Sequence, residues 1–114
     1  MILDLAQYRF FVRPGKTDLR KGVNGLSLLV QNVMEYDPFS KSLFLFCNSE
    51  HRLLKIMYWD RNGFCLWQKR LQRDKFPWPE SEDAAREIEF EQLRMLLDGI
   101  DFFKAHQTLK YSRV

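Results

Sequence analysis

Basic and aromatic side chains are mixed with apolar ones over residues 53–78, and this mixture could do chemistry on a polyanion. Lysines and arginines neutralise phosphates, and aromatic rings stack on exposed bases. The pattern therefore predicts a nucleic-acid surface. The alternative is a sheet whose Lys and Arg stems cover apolar surface while their charged heads reach water. The candidate contact residues in this interval are Lys55, Trp59, Lys69, Arg70, Arg73, Lys75 and Trp78.

A second basic cluster lies nearer the N-terminus, where Lys16, Arg20 and Lys21 surround the start of a predicted helix. Free backbone N–H groups at a helix start can bind phosphate, so these three residues are also candidate nucleic-acid contacts. Ordinary capping, with Asp18 paired to Arg20 or Lys21, is the interpretation we favour. The cluster has no Gly-rich phosphate loop of a known spacing.

The cysteines and histidines do not have the spacing of a metal site. Cys47 and Cys65 lie eighteen positions apart in separate apolar runs, and His51 and His106 are distant from each other. We therefore expect reduced core cysteines of an intracellular protein, without zinc and without a Cys–His nucleophile.

Carboxylates leave one catalytic alternative open. Asp18, Glu50 and Asp60 could converge around a metal ion, as in a small nuclease. However, Asp60 opens a turn and Asp18 begins a helix, which are ordinary backbone roles for Asp. We therefore expect no enzymatic activity, no metal and no cofactor.

Length and charge limit the protein further. The 114 residues fit one domain, and no apolar run is long enough to span a membrane. The first residues are too polar for a signal peptide, so we expect a cytoplasmic protein. Residues 52–75 carry seven basic and two acidic side chains, whereas residues 76–101 carry two basic and eight acidic ones. This asymmetry suggests an anionic partner, and the alternative is an internal match between basic strands and an acidic helix.

The first half of the chain predicts a strand and a long helix. Residues 8–13 are β-prone, and Pro14-Gly15 marks a turn. Apolar residues then recur in steps of three and four, which predicts a helix over residues 17–35 with Thr17 as its N-cap.

A β-hairpin is the most informative element of the second half. The continuous apolar run 43–47 predicts a strand that is buried on both faces. Strands are predicted over residues 53–59 and 64–71, joined by a turn at residues 60–63 in which Asn-Gly tolerates positive φ. We expect the lysines and arginines of this ribbon to form one outward cationic strip.

The last part of the domain predicts an acidic loop over residues 81–86, a short strand at 87–90 and a helix at 91–98 with Gly99 behind it. The predicted fold class is α+β, with an antiparallel sheet of four to five strands packed against one long helix, plus a short C-terminal helix. We expect one domain over residues 1–103 and a basic C-terminal tail over residues 104–114.

Five blocks of the sequence resemble a known family. Thr17 to Leu26 resembles its T-D-M-R-K-G-F-D-G-L block, and residues 37–40 resemble its D-P-F-S turn. Leu54 to Leu71 resembles L-K-x-L-x-W-D-x-x-G-F-C-L-W-x-K-R-L, and F-P-W-P at 76–79 and Q-L to G-I-D at 92–101 follow in order. These blocks are similar to the accessory protein encoded by the second open reading frame of insertion-sequence-66 transposons, often labelled TnpB.

The resemblance implies a non-catalytic accessory protein of transposition, because the catalytic acidic residues of such elements belong to the larger transposase. The partners it implies are DNA of the transposon ends, the cognate transposase, or both. The alternative function is a pure protein–protein adaptor of the transposase without DNA binding. The sequence leaves the oligomeric state and the DNA sequence preference open.

Overall fold

A five-stranded mixed sheet organises the chain, which a computed structural model describes over residues 4–80 and 86–100. The strands are β1 (Arg9–Val12), β2 (Ser42–Cys47), β3 (Leu53–Asp60), β4 (Gly63–Arg70) and β5 (Arg86–Ile88). They lie in the order β4-β3-β2-β1-β5. Only β1 and β2 are parallel, and the other neighbours are antiparallel. With helices α1 (Val23–Asn32) and α2 (Phe90–Leu97), this architecture confirms the predicted α+β class.

Strand β2 lies at the centre of the sheet, and all six of its residues are buried. Its side chains alternate between the two faces, so both faces must be covered. On one face, Phe44 and Phe46 pack with Leu26 and Val30 of α1. This arrangement confirms the prediction of a strand that is buried on both sides.

The opposite face is covered by α2 and by the irregular segment 76–79. Leu93 and Leu96 of α2 pack in the same core as Phe76 and Trp78. The Trp78 indole Nε1 donates hydrogen bonds to the carbonyl oxygens of Arg13 and Gly15, each at 3.0 Å. The segment between two prolines is therefore a structural part of this core.

Both described cysteines are free thiols. Cys47 is fully buried, and this burial raises the pKa of its thiol to about 12. Cys65 is half-buried at the margin of the α2-side core. Their positions agree with the expectation of reduced core cysteines.

The hairpin is confirmed, but its turn differs in detail from the prediction. Asp60 pairs with Gly63, so Arg61 and Asn62 form a two-residue loop. The residue with positive φ is Arg61, at 52°. Gly63 begins β4 and does not supply the left-handed conformation that the Asn-Gly pair suggested.

Helix α1 is shorter than predicted, since it begins at Val23 and not at Thr17. Thr17 is buried, and its N–H donates to the Cys47 carbonyl at 2.8 Å, which ties it to the end of β2. Residues 18–21 then form a turn in which the Lys21 N–H bonds the Asp18 carbonyl. The periodic apolar pattern therefore begins before the helix does, because Leu19 lies in the preceding loop and is buried there.

Helix α2 matches its prediction within one residue. Glu89 and Gln92 form a reciprocal capping box at its start. Gly99 follows its end with φ of +79°, which is the left-handed conformation that favours glycine.

The structure does not describe residues 81–85 or 101–114, so most of the predicted acidic loop and the whole basic tail lie outside the described residues. The domain boundary at residue 103 therefore stays a prediction. Within residues 4–80 and 86–100, no helix is long and apolar enough to cross a membrane.

Trp78→Phe is expected to lower the free energy of unfolding by about 1–3 kcal/mol, because two carbonyl groups lose their donor. Urea denaturation monitored by far-UV circular dichroism measures the change. Trp67→Phe is the matched control, because its ring packs at the margin of the same core and its indole makes no hydrogen bond within the described part of the chain. Equal losses in the two variants would contradict a role for the Trp78 N–H group.

Candidate nucleic-acid interface

Three segments that are distant in sequence meet at one end of the sheet. The loop after β1 is held there by the bond from the Thr17 N–H to the Cys47 carbonyl. The loop after β4 lies along the turn before β3, because Leu71 N–H bonds the Arg52 carbonyl at 2.8 Å and Phe76 N–H bonds the His51 carbonyl at 2.7 Å. We call the residues 13–21, 48–53 and 70–80 together the cationic end.

Charge is concentrated in the cationic end. Its three segments carry eight basic and four acidic side chains, a net charge of +4, whereas the rest of the described chain carries −1. The positive net charge of the described residues therefore lies at one end of the sheet, and a phosphate backbone would be attracted to that end.

The pairing of the cations distinguishes this end even more clearly than their number. Among the Lys and Arg side chains of residues 4–80 and 86–100, ten have a hydrogen-bond, ion-pair or other electrostatic partner within the chain, and one of them is Lys21, whose charge lowers the pKa of Asp18. The other five make no hydrogen bond or ion pair, and all five belong to the cationic end. They are Lys16, Arg52, Arg70, Arg73 and Lys75.

A cleft of about 570 Å³ opens between the loop 16–20 and the turn 48–53. Lys16 and Arg20 line it from the loop, and Arg70 lines it from the end of β4. Leu19 and Leu53, both largely buried, supply its apolar part. The structure thus brings together members of the two basic clusters that the sequence presented separately.

Arg20 is paired within the chain. Its guanidinium donates to both carboxylate oxygens of Asp18, at 3.0 and 2.9 Å, and its backbone N–H donates to Oδ1 at 3.0 Å. These hydrogen bonds hold the pKa of Asp18 at about 2. The Asp18–Arg20 pairing that the sequence favoured is therefore present, although the Arg20 side chain is 92% exposed.

Lys55 and Lys69 lie on opposite faces of the hairpin, and their ammonium groups bond backbone carbonyls. Lys55 Nζ donates to the Leu19 carbonyl at 2.8 Å, on the α1 side. Lys69 Nζ donates to the Leu97 carbonyl at 3.0 Å, near the end of α2. The ribbon therefore has no single cationic strip along its length.

Neither candidate tryptophan lies at the cleft surface: Trp59 is at the other end of β3, and Trp78 is inside the core. Trp59 forms edge-to-face contacts with Phe39 and Phe64, with ring centroids at 4.9 and 5.0 Å. It lies six residues along β3 from Leu53, a distance of about 20 Å. Trp78 is only 7% exposed, so its ring packs in the core described above.

Arg52 is the cation that the sequence analysis did not select. Its backbone carbonyl accepts from Leu71, and its backbone N–H donates to Asn48 Oδ1 at 3.0 Å. The hairpin register that pairs Leu53 with Arg70 could have identified it, because residue 52 must then lie beside residue 71. Arg13 has a different role: its Nη1 bonds the Lys16 carbonyl and Thr17 Oγ1 and supports the loop.

The candidate carboxylates of a nuclease do not converge. Asp18 and Glu50 both belong to the cationic end, whereas Asp60 lies at the hairpin turn at the far end of β3, so the three do not meet. Within residues 4–80 and 86–100, no group of three His, Cys, Asp or Glu side chains could hold a metal ion.

Comparison with known proteins agrees with the resemblance found in the sequence. The family model described as IS66 Orf2-like protein matches residues 8–107, which is most of the chain. The chain belongs to the IS66 Orf2-like family. This membership makes it an accessory protein associated with insertion-sequence transposition.

Two relatives of this IS66 Orf2-like chain come from Sinorhizobium fredii. The uncharacterized protein y4hO is 39% identical over 106 residues, which are 93% of this chain and 92% of the relative. The uncharacterized protein y4jC is 33% identical over 94 residues, which are 82% of this chain and 80% of the relative. No solved structure matches the chain.

Asp18 makes the acid stability of this IS66 Orf2-like chain testable. Because its folded-state pKa lies below the unfolded value, its contribution to stability is present above about pH 4 and is lost as the pH falls towards 2. We expect Asp18→Asn to flatten the fall of the unfolding free energy between pH 4 and pH 2. Denaturation at a series of pH values measures this slope.

Arg20→Ala provides the control, because it leaves the carboxyl group in place but removes its partner. The midpoint of the Asp18 carboxyl titration, followed by NMR, should then rise towards the value of a free aspartate. An unchanged midpoint would show that Arg20 does not hold the carboxylate.

Proposed function

We propose that this IS66 Orf2-like protein binds DNA of its insertion element through the cationic end and acts without catalysis in transposition. The observation that carries the proposal is the common location of the five Lys and Arg side chains of the described residues that have no intramolecular partner. In this proposal, Lys16, Lys21, Arg52, Arg70, Arg73 and Lys75 contact phosphates.

Unpaired surface cations favour phosphate binding for an energetic reason. A cation that already has a carboxylate or carbonyl partner must give up that bond before it can contact a phosphate. A free cation loses only water and releases the counterions condensed on the DNA. The cationic end is therefore the part of the described surface where DNA binding costs least.

The cleft supports the same proposal, because its walls place positive charge around a concave space. Lys16 and Arg70 approach it from different segments, the paired Asp18 and Arg20 also line it, and Thr17, Asn48 and Ser49 add neutral polar groups. Binding to phosphates fixes position and orientation but carries little sequence information. We therefore expect binding through this end to depend steeply on salt and weakly on DNA sequence.

The remaining sequence-derived candidates have smaller places in the proposal. Arg20 is already paired with Asp18, and Lys55 and Lys69 are engaged with carbonyls. Trp78 supports the loop that carries Lys16, because its indole bonds the carbonyls of residues 13 and 15. Direct contact of these residues, and of Trp59, with DNA stays a prediction.

An adaptor that binds the transposase is the second candidate function, and one observation favours it. Phe39, Trp59 and Phe64 form an aromatic cluster at the hairpin-turn end of the sheet, and the Phe39 side chain is 57% exposed. Exposed aromatic clusters are common at protein–protein interfaces. The two surfaces lie at opposite ends of the sheet, so one chain can bind both partners.

Replacing three free cations tests the DNA-binding function. We expect the triple variant Lys16→Ala, Arg73→Ala, Lys75→Ala to weaken binding to terminal-repeat duplex by roughly 100-fold at low salt, because three phosphate contacts are lost. The slope of log affinity against log salt should become shallower by about 2 to 3. Fluorescence anisotropy titrations at several salt concentrations measure both quantities.

The matched control removes the same amount of charge from paired cations. Arg9, Lys41 and Arg61 bond Glu87, Gln7 and Asp60, and they lie outside the cationic end. The triple alanine variant of these residues should retain most of the affinity. Equal losses in the two triple variants would mean that net charge alone, and not the cationic end, determines binding.

Pull-down of the cognate transposase separates the two functions. If the protein is a DNA-binding accessory factor, it retains terminal-repeat DNA in the absence of transposase. If it is a pure adaptor, it captures transposase but no DNA at physiological salt, and Phe39→Ala weakens that capture. Failure to bind DNA under any condition rejects the proposed function.

A further inference from the structure

Strand β4 is an unprotected edge of the sheet. It is eight residues long, it contains no proline, and its pairing with β3 continues without a bulge from Asp60–Gly63 to Leu53–Arg70. Natural proteins usually shorten, bulge or charge such edges, because free peptide groups bind other strands. Within residues 4–80 and 86–100, no segment pairs with the outer side of β4.

The hydrogen-bonding groups on this outer side can be assigned from the register. Leu71 N–H bonds the Arg52 carbonyl, so residue 71 faces β3. Antiparallel pairs alternate between hydrogen-bonded and non-hydrogen-bonded positions, so every second residue before Leu71 also faces β3. The peptide groups that point away from β3 are therefore those of Phe64, Leu66, Gln68 and Arg70.

Side chains give this edge little protection. The Lys69 ammonium is bonded to the Leu97 carbonyl, so it does not screen the peptide groups. Leu66 is 39% exposed at the middle of the strand. Phe64, in contact with Phe39 and Trp59, lies half-buried at one end, and Arg70 lies exposed at the other. One end of this edge thus carries the aromatic ring of Phe64, and the other end carries the guanidinium of Arg70.

We propose that β4 pairs antiparallel with β4 of a second copy of this chain, about a two-fold axis at Trp67. This register places Phe64 opposite Arg70 of the second copy and Leu66 opposite Gln68 of the second copy. It is the two-fold register that pairs all four outward-facing residues. The two five-stranded sheets then form one continuous sheet.

Charge complementarity identifies a second copy, in this orientation, as the occupant. An antiparallel arrangement brings each guanidinium over an aromatic ring, which is a favourable cation–π contact. It also separates the two Arg70 side chains by about six strand residues, or about 20 Å. A parallel arrangement would place Lys69 and Arg70 beside their own copies, and like charges directly opposite each other destabilise a sheet.

A proline substitution on the free edge tests the proposal, which does not depend on DNA binding. Gln68→Pro removes an outward N–H group and leaves the β3–β4 hydrogen bonds in place, as proline on an edge strand can. Sedimentation equilibrium of the full chain over about a hundredfold range of concentration measures association. We expect the apparent mass of the parent protein to approach that of a dimer, twice the monomer mass of 13.8 kDa. The proline variant should need at least a tenfold higher concentration to reach the same degree of dimerisation.

Gln68→Thr is the matched control, because it keeps the N–H group and suits a strand. It should associate like the parent, and all three proteins should melt alike when they are monomeric. A parent protein that stays monomeric at every concentration overturns the proposal, whether another segment of the chain or another protein covers the edge. Association that proline does not weaken also overturns it, because the interface then lies elsewhere.

Disulfide trapping tests the register itself. In a Cys65→Ser background, a mixture of the Leu66→Cys and Gln68→Cys variants should form a mixed disulfide, because a hydrogen-bonded antiparallel pair has Cα atoms about 5.5 Å apart. Each variant alone places its new cysteines diagonally, about 7–8 Å apart, and should cross-link more slowly. Faster cross-linking of either variant alone overturns the register centred on Trp67.

Discussion

The constraint on which the structure depends is that β2 carries apolar side chains on both faces and must be covered twice. Helix α1 covers one face, and α2 with the segment 76–79 covers the other. Packing on both sides removes Trp78 from the surface. It also places Lys55 beside the carbonyl of residue 19 and Lys69 beside the end of α2. Among the described residues, the cations that remain without a partner all lie at the cationic end.

The sequence predicted local features well where a few neighbouring residues determine the structure. The hairpin follows from two apolar stretches around a polar turn, β2 follows from an uninterrupted apolar run, and α2 follows from its leucine spacing and Gly99. The predicted start of α1 was wrong, because Leu19 fits the helical period but lies in a loop, where it is nevertheless buried. Its neighbour Thr17 bonds the end of β2, which is a long-range contact that no local pattern encodes.

The candidate interface was only partly predictable for a similar reason. A sequence shows which side chains are basic, but it does not show which of them find a partner inside the fold. Lys55 and Lys69 differ from Arg70 in the carbonyl beside each ammonium group, which comes from the loop before α1 for Lys55 and from the end of α2 for Lys69. The parallel pairing of β1 with β2 brings residue 16 close to residue 70, and that pairing depends on the whole topology.

The strand order has a consequence for how the protein is made. The first strand lies between β2 and β5, so one of its neighbours is the last strand of the sheet to be synthesised. Until residues 86–88 leave the ribosome, β1 has an open side, and the α2 layer that covers it is also missing. A nascent chain of this protein must therefore carry an incomplete sheet until residues 86–88 have been synthesised. Folding of the domain as a whole waits for β5 and for α2 behind it.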